Sequence, residues 1–130
     1  LVRTTKEHHD IDIDFHYINL PPRLNKDIQI NIYRIIQEGI NNIIKHSKAT
    51  KCIINVAFHK PLIEIKIQDN GKGFENGNLK NGKLSFGLRN MQERANFFGG
   101  KFLIDSIPGK GVNIFIQIPY YMVNNELQKN

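Results

Sequence analysis

Four polar side chains in the first half of the chain, Glu38, Asn42, Lys45 and His46, follow one another at spacings of four, three and one residues. On a helix of about 3.6 residues per turn these spacings make one polar stripe. A carboxylate, an amide oxygen, an ammonium and an imidazole in line can hold a metal–phosphate pair. Glu38 can accept a proton, Asn42 can ligate Mg²⁺ through oxygen, and Lys45 and His46 can contact phosphates. The same stripe is also the pattern of an ordinary solvated helix face.

Two further segments have chemical potential. Asp69-Asn70-Gly71-Lys72-Gly73 stands where a strand should end. A carboxylate there can accept from the exocyclic amine of a buried base, and glycines let the backbone turn and approach a planar ligand. Such a segment can equally be only a turn. Ser85-Phe86-Gly87-Leu88 opens a second helical pattern. The N–H groups at a helix start suit an anion, and Gly87 permits close approach of a phosphate. Leu88, Met91 and Phe98 read as core by their spacing.

The elements that must position these groups follow from periodicity. Ile11, Ile13, Phe15 and Tyr17 alternate with Asp12, Asp14 and His16, the period of a half-buried strand over 11–18. After Leu20-Pro21-Pro22, Asn25 or Asp27 can cap a helix running to about Lys48. Its Ile32, Ile36, Ile40 and Ile43 form an apolar stripe, expected to face the sheet with the polar stripe opposite. Strands at 51–59 and 62–68 flank Lys60-Pro61 and read as an antiparallel hairpin. Residues 69–85 are rich in Asn and Gly, a loop long enough to suggest function. A helix from about Phe86 ends at Gly99-Gly100, and strands at 101–107 and 112–118 flank the turn Pro108-Gly109-Lys110-Gly111. The pattern predicts one α+β domain over 1–130, with an ordered core at about 10–119 and a tail at 120–130 that frays.

Composition sets the outer bounds. The 130 residues are 40% hydrophobic and 23% charged, with 18 Lys+Arg against 12 Asp+Glu. This is a globular balance. The formal charge of +6 favours an anionic partner. The lysines are scattered without a basic cluster or interleaved aromatics, so nucleic acid is not expected. Apolar runs are far short of the ~20 residues that span a bilayer, and Cys52 alone allows neither an internal disulfide nor a cysteine zinc site. The start at Leu1, without Met, is expected of a piece of a longer protein.

The order and spacing of the three segments resemble the GHKL ATPases. Tyr33 to His46 resembles the N box of sensor histidine kinases, and more narrowly the subfamily reading Gln-Glu-x-x-x-Asn-x-x-Lys-His (Gln37, Glu38, Asn42, Lys45, His46). Asp69 to Phe74 is similar to the first glycine box. Gly87-Leu88-Arg89-Asn90-Met91-Gln92-Glu93-Arg94-Ala95 is similar to the second box and its helix. Gly99-Gly100 and Ser106-x-Pro108-Gly109-x-Gly111 resemble the closing hairpin. The similarity runs from about Ile11 to Pro119.

The resemblance implies a Bergerat-type two-layer α/β sandwich, with a mixed, largely antiparallel sheet and helices on one face. It implies transfer of the γ-phosphoryl of Mg·ATP to a histidine on a separate helical dimerisation domain, with a response regulator as indirect partner. In these terms Asn42 ligates Mg²⁺, Glu38 orients or deprotonates the acceptor imidazole, and Lys45 and His46 lie on the phosphate side. Asp69 binds the adenine amine, Gly71 and Gly73 shape its pocket, and the backbone at Gly87 and Leu88 meets the phosphates. Residues 74–85 form a lid. The domain is expected to be cytoplasmic and monomeric by itself, in a parent that can be membrane-anchored.

Two positions depart from the family pattern. Ser85 stands where the second box usually has Gly, and Val112 where Thr is frequent. His8-His9-Asp10 imitates an acceptor motif but runs straight into a strand, so the acceptor is expected elsewhere. An anti-sigma-factor-like Ser/Thr kinase of the same fold and a binding module that has lost ATP are the alternatives.

Overall fold

Alternation of isoleucine with polar residues builds the strands. The computed structural model describes residues 11–21, 24–46, 48–72 and 86–120. It contains β1 (Asp12–Ile18), β2 (Lys51–His59), β3 (Leu62–Asp69), β4 (Lys101–Ile107) and β5 (Gly111–Pro119). They form a sheet of order β1-β2-β3-β5-β4. β1 runs parallel to β2 and the remaining pairs are antiparallel, including the β2–β3 hairpin. This is the mixed, largely antiparallel α+β arrangement expected from the pattern.

One face of the sheet carries Ile13, Cys52, Ile54, Val56, Ile63, Ile65, Ile67, Ile114, Ile116 and Ile118, all buried. β-Branched side chains suit a pleated, covered surface. Helices α1 (Lys26–His46) and α2 (Phe86–Phe97) cover that face. Asn25 caps α1, its Oδ1 accepting from the N–H of Asp27 at 2.7 Å and of Ile28 at 3.3 Å, a contact worth about 1 kcal/mol. Tyr120 pins the same corner. Its hydroxyl accepts from the Asn25 N–H at 3.2 Å, and its own N–H donates to the Pro61 carbonyl at 2.7 Å. Sequence alone counts Tyr120 with the tail, but its ring is buried and stands edge-on to Phe58. Residues 121–130 lie outside the described residues.

Two expectations about α1 need correction. It ends at His46, two residues short of Lys48, whose φ is 56°. Nor does the polar stripe stand opposite the apolar one. Ile28 and Ile35 join Ile32, Ile36, Ile40 and Ile43 in the core, and Asn42 is buried beside them at 7% exposure. The cause is the second helix: α1 lies against both the sheet and α2, so it has two covered sides. The buried arc is therefore wider than a four-isoleucine stripe indicates, and it swings toward Glu38 and Asn42.

The seat of α1 on the sheet depends on Gly39. A Cβ there would stand 2.6 Å from Ile67 Cδ1 and 3.5 Å from Met91 Cε. Ile67 and Met91 are themselves fully buried, so neither has free space to retreat into. Gly39→Val is expected to lower the unfolding free energy by about 3 kcal/mol, the upper range for overpacking a dense core. Urea denaturation measures this, and an unchanged midpoint would contradict the tight seat.

Candidate functional site

The inward row of β3, Ile63-Ile65-Ile67, continues to Asp69, which places a carboxylate on the covered face. Strand pairing sets Cys52 of β2 on one side of Asp69 and Val112 of β5 on the other, with Ser106 of β4 beyond Val112. Cys52 and Val112 are buried, at 2% and 3% exposure. A charge between two apolar neighbours loses hydration, and burial raises the Asp69 pKa above its ordinary value. The backbone N–H groups of Gly71 and Val112 pull it part of the way back. The Gly71 N–H donates to Asp69 Oδ1 at 2.7 Å. Burial first, and the Asp69 charge second, push the Cys52 thiol up to about 12. At neutral pH this thiol is an apolar filler and not a nucleophile.

Three contacts hold the end of β3 in place, and sequence inspection assigns none of them a role. Gly111 opens β5 with φ at 97°, and a Cβ there would meet the Asp69 carbonyl oxygen at 2.0 Å. Only glycine lets the two backbones lie this close. The Asn70 side chain accepts through Oδ1 from the N–H of Thr50 and of Lys51, both at 2.9 Å, and donates to Thr50 Oγ1 at 3.0 Å. It ties the exit of β3 to the segment joining α1 to β2. The Gly109 N–H donates to the Lys72 carbonyl, hanging the β4–β5 turn on the same segment. The Asn-Gly texture of this stretch reads as a generic turn, so the partners of Asn70 are invisible before folding.

Glu38 belongs to a second cluster, where α1 faces the start of α2. Its Oε1 lies 3.2 Å from where a Cβ on Gly87 would be, and its Oε2 lies 3.5 Å from Asn90 Nδ2. The first turn of α2 has no acidic residue of its own. Glu38 supplies one from the neighbouring helix, at the end of α2 where the macrodipole favours negative charge. Gly87 thus makes room for the Glu38 carboxylate. One turn beyond Asn90, Arg94 Nη1 donates to Asn31 Oδ1 at 3.3 Å, while Arg94 Nε is buried without a partner among the described residues. Asn90 falls within the second glycine box but has no assigned role there, and Asn31 lies outside any motif; their partners appear only where the helices meet.

The remaining candidates divide clearly. Asn42 is the buried polar side chain of α1, Lys45 is exposed near the helix end, and Leu88 is fully buried as core. Asn42 and Lys45 lie between Glu38 and the Thr50–Asn70 tie, so α1 links the two clusters. The His46 side chain, Gly73, the expected lid at 74–85 with Ser85, and His8-His9-Asp10 lie outside the described residues.

Among the described residues no group of three or more His, Cys, Asp or Glu could hold a metal ion. A buried amide oxygen on Asn42 fits a hard cation that keeps its waters and shares phosphate oxygens. It does not fit a tightly caged ion. No described helix is long and apolar enough to cross a membrane.

Comparison with known proteins bears on the family and the fold. Residues 27–122 match the family model described as histidine kinase-, DNA gyrase B- and HSP90-like ATPase. The chain is 37% identical over 118 residues to the signal transduction histidine-protein kinase/phosphatase DegS of Brevibacillus brevis, covering 91% of this chain and 30% of that protein. It is 33% identical over 109 residues to the sensor histidine kinase LiaS of Bacillus subtilis, covering 84% of this chain and 30% of that one. The chain thus spans about a third of the length of these curated relatives. The fold superimposes on the histidine kinase domain of the Erythrobacter litoralis EL346 blue-light activated histidine kinase with a TM-score of 0.68. That match has 13% identity and covers 90% of this chain and 56% of that structure.

The raised pKa of Asp69 has a stability consequence. Between its ordinary value of 3.8 and its higher folded value, the folded state binds more protons than the unfolded state. Stability from this group therefore falls as pH rises through that window. Asp69→Asn keeps an oxygen for the Gly71 N–H and removes the charge. The variant is expected to gain on the wild type as pH rises from below 3.8 through the raised folded value, read as urea midpoints across the pH series. Parallel pH profiles would show that Asp69 is not desolvated.

Proposed function

The chain belongs to the histidine kinase-, DNA gyrase B- and HSP90-like ATPase family, and from that premise we propose that it is the ATP-binding catalytic domain of a two-component sensor kinase. It would deliver the γ-phosphoryl group of ATP to a histidine on a helical dimerisation and acceptor domain of the parent protein, and from there to a response regulator. The observation that carries the reading is Asp69: a carboxylate on the covered face of the sheet, between Cys52 and Val112, two residues before the buried Gly71. Such a group recognises a flat, apolar ring bearing an amine, which is the chemistry of adenine.

In this reading Asp69 accepts from the adenine amine. Gly71 and Gly73 leave space for the ring, and the Gly71 N–H keeps the carboxylate oriented. The backbone at Gly87 and Leu88 receives the phosphates at the start of α2. Lys45 and His46, at the end of α1, balance phosphate charge. Asn42 would hold Mg²⁺, which neutralises charge on the phosphates when bound. Glu38 stands at the mouth of α2, placed to orient the incoming imidazole or take its proton. Phosphoryl transfer asks mainly for positioning and charge neutralisation, which this small set of side chains supplies. The domain is a cytoplasmic unit and a monomer by itself, since in this reading dimerisation belongs to the acceptor helices.

Calorimetric titration tests the reading. The wild type should bind ATP in Mg²⁺ and lose affinity when EDTA removes the metal. Asp69→Ala should weaken binding at least about a hundredfold, because a buried amine is left unmatched. Glu38→Gln should bind ATP like the wild type, while phosphohistidine formation on the supplied acceptor domain drops about 10²–10⁴-fold. A wild-type chain that fails to bind millimolar Mg·ATP overturns the proposal, and equal loss of binding and transfer in Glu38→Gln removes Glu38 from catalysis.

A further inference from the structure

Both oxygens of the Glu38 carboxylate are met by one neighbour, helix α2. Oε1 lies against Gly87, where a Cβ would stand 3.2 Å away, and Oε2 lies 3.5 Å from Asn90 Nδ2. Gly87 and Asn90 are three residues apart on a helix, so they share a face. One has no side chain to displace the carboxylate, and the other offers an N–H to it. A glutamate's terminal torsion is broad and roughly two-fold, so a carboxylate without a donor on one oxygen turns freely. A group that must take or hold a proton has to stand within hydrogen-bond reach of it.

We propose that Asn90 is a positioning residue for Glu38, its amide donating to Oε2 and so fixing which way the carboxylate faces at the mouth of α2. The inference deepens the kinase reading above and rests on it. Asn90 is well suited to the task because its own backbone is immobilised. Leu88, Met91 and Ala95, on the other side of α2, are each fully buried. A distance of 3.5 Å is longer than an ordinary amide–carboxylate hydrogen bond. It is the loose geometry common in catalytic contacts before substrate tightens them. Another polar contact between the helices, Arg94 with Asn31 at 3.3 Å, involves neither Glu38 nor Asn90. It provides an internal control for effects that come only from holding the helices together.

The test uses the full-length kinase, with Mg·ATP affinity and phosphohistidine formation measured on the same samples. Asn90→Ala is expected to leave ATP affinity and KM within about threefold while kcat falls roughly tenfold to a hundredfold, the scale of a misplaced catalytic group. Asn90→Gln, which keeps the donor on a longer arm, should recover part of that loss. Asn31→Ala should lower the urea midpoint and leave kcat at the wild-type value. The proposal is overturned by wild-type kcat in Asn90→Ala, by a loss that appears equally in KM, or by the same loss in Asn31→Ala. A fault in the underlying reading shows itself earlier and separately, as a wild-type kinase that forms no phosphohistidine, and the inference falls with it.

Discussion

With no side chain at position 39, α1 descends onto β3 until the helix backbone nearly touches Ile67, and a Cβ would stand 2.6 Å from the Ile67 Cδ1. The register of the whole site depends on this contact. Ile67 is two residues before Asp69 on the same face of β3, and Gly39 is the residue after Glu38. The one close approach therefore sets how far the helix carboxylate stands from the strand carboxylate. The same glycine borders Met91, so it also sets how near α2 can come. Dense interiors do not absorb small shifts, and a displacement of α1 would be passed to Glu38, Asn42 and the start of α2 together.

The two carboxylates of the candidate site stand in different surroundings. Asp69 stands between a buried thiol and a buried valine, and loss of hydration raises its pKa despite two nearby backbone N–H groups. Such a group gains from a ligand that brings a hydrogen-bond donor into an apolar slot. Glu38 is half-buried and stands at the positive end of α2, which favours negative charge. One carboxylate sits between apolar neighbours at the end of a strand, the other against the first turn of a neighbouring helix.

Much of the fold was legible in the sequence because it rests on local rules. Alternation placed the strands to within a residue or two, Asn25 or Asp27 marked the start of α1, with Asn25 proving to be the cap, and Gly99-Gly100 marked the end of α2. The start of α1 was legible, but its last residues and its orientation were not. The four-isoleucine stripe pointed to a single buried side, whereas Ile35 and Asn42 are buried because a second helix lies alongside. Tyr120 read as tail because its partners, Asn25 and Pro61, are distant in sequence.

The residue types and spacing of Glu38, Asn42, Asp69, Gly71 and Gly87 determined by themselves which chemistry was available, because reactivity follows from functional groups and their order along the chain. Tertiary structure alone decided how those groups are grouped and tuned. It set Cys52 and Val112 beside Asp69, brought Gly111 against the Asp69 carbonyl, made Asn70 a tie between β3 and the α1–β2 connection, and turned Asn90 toward Glu38. Each of these is a contact between residues at least 17 positions apart in the chain. Their hydration, charge and hydrogen bonding depend on which surfaces meet when the helices close over the sheet, and no local pattern carries that information.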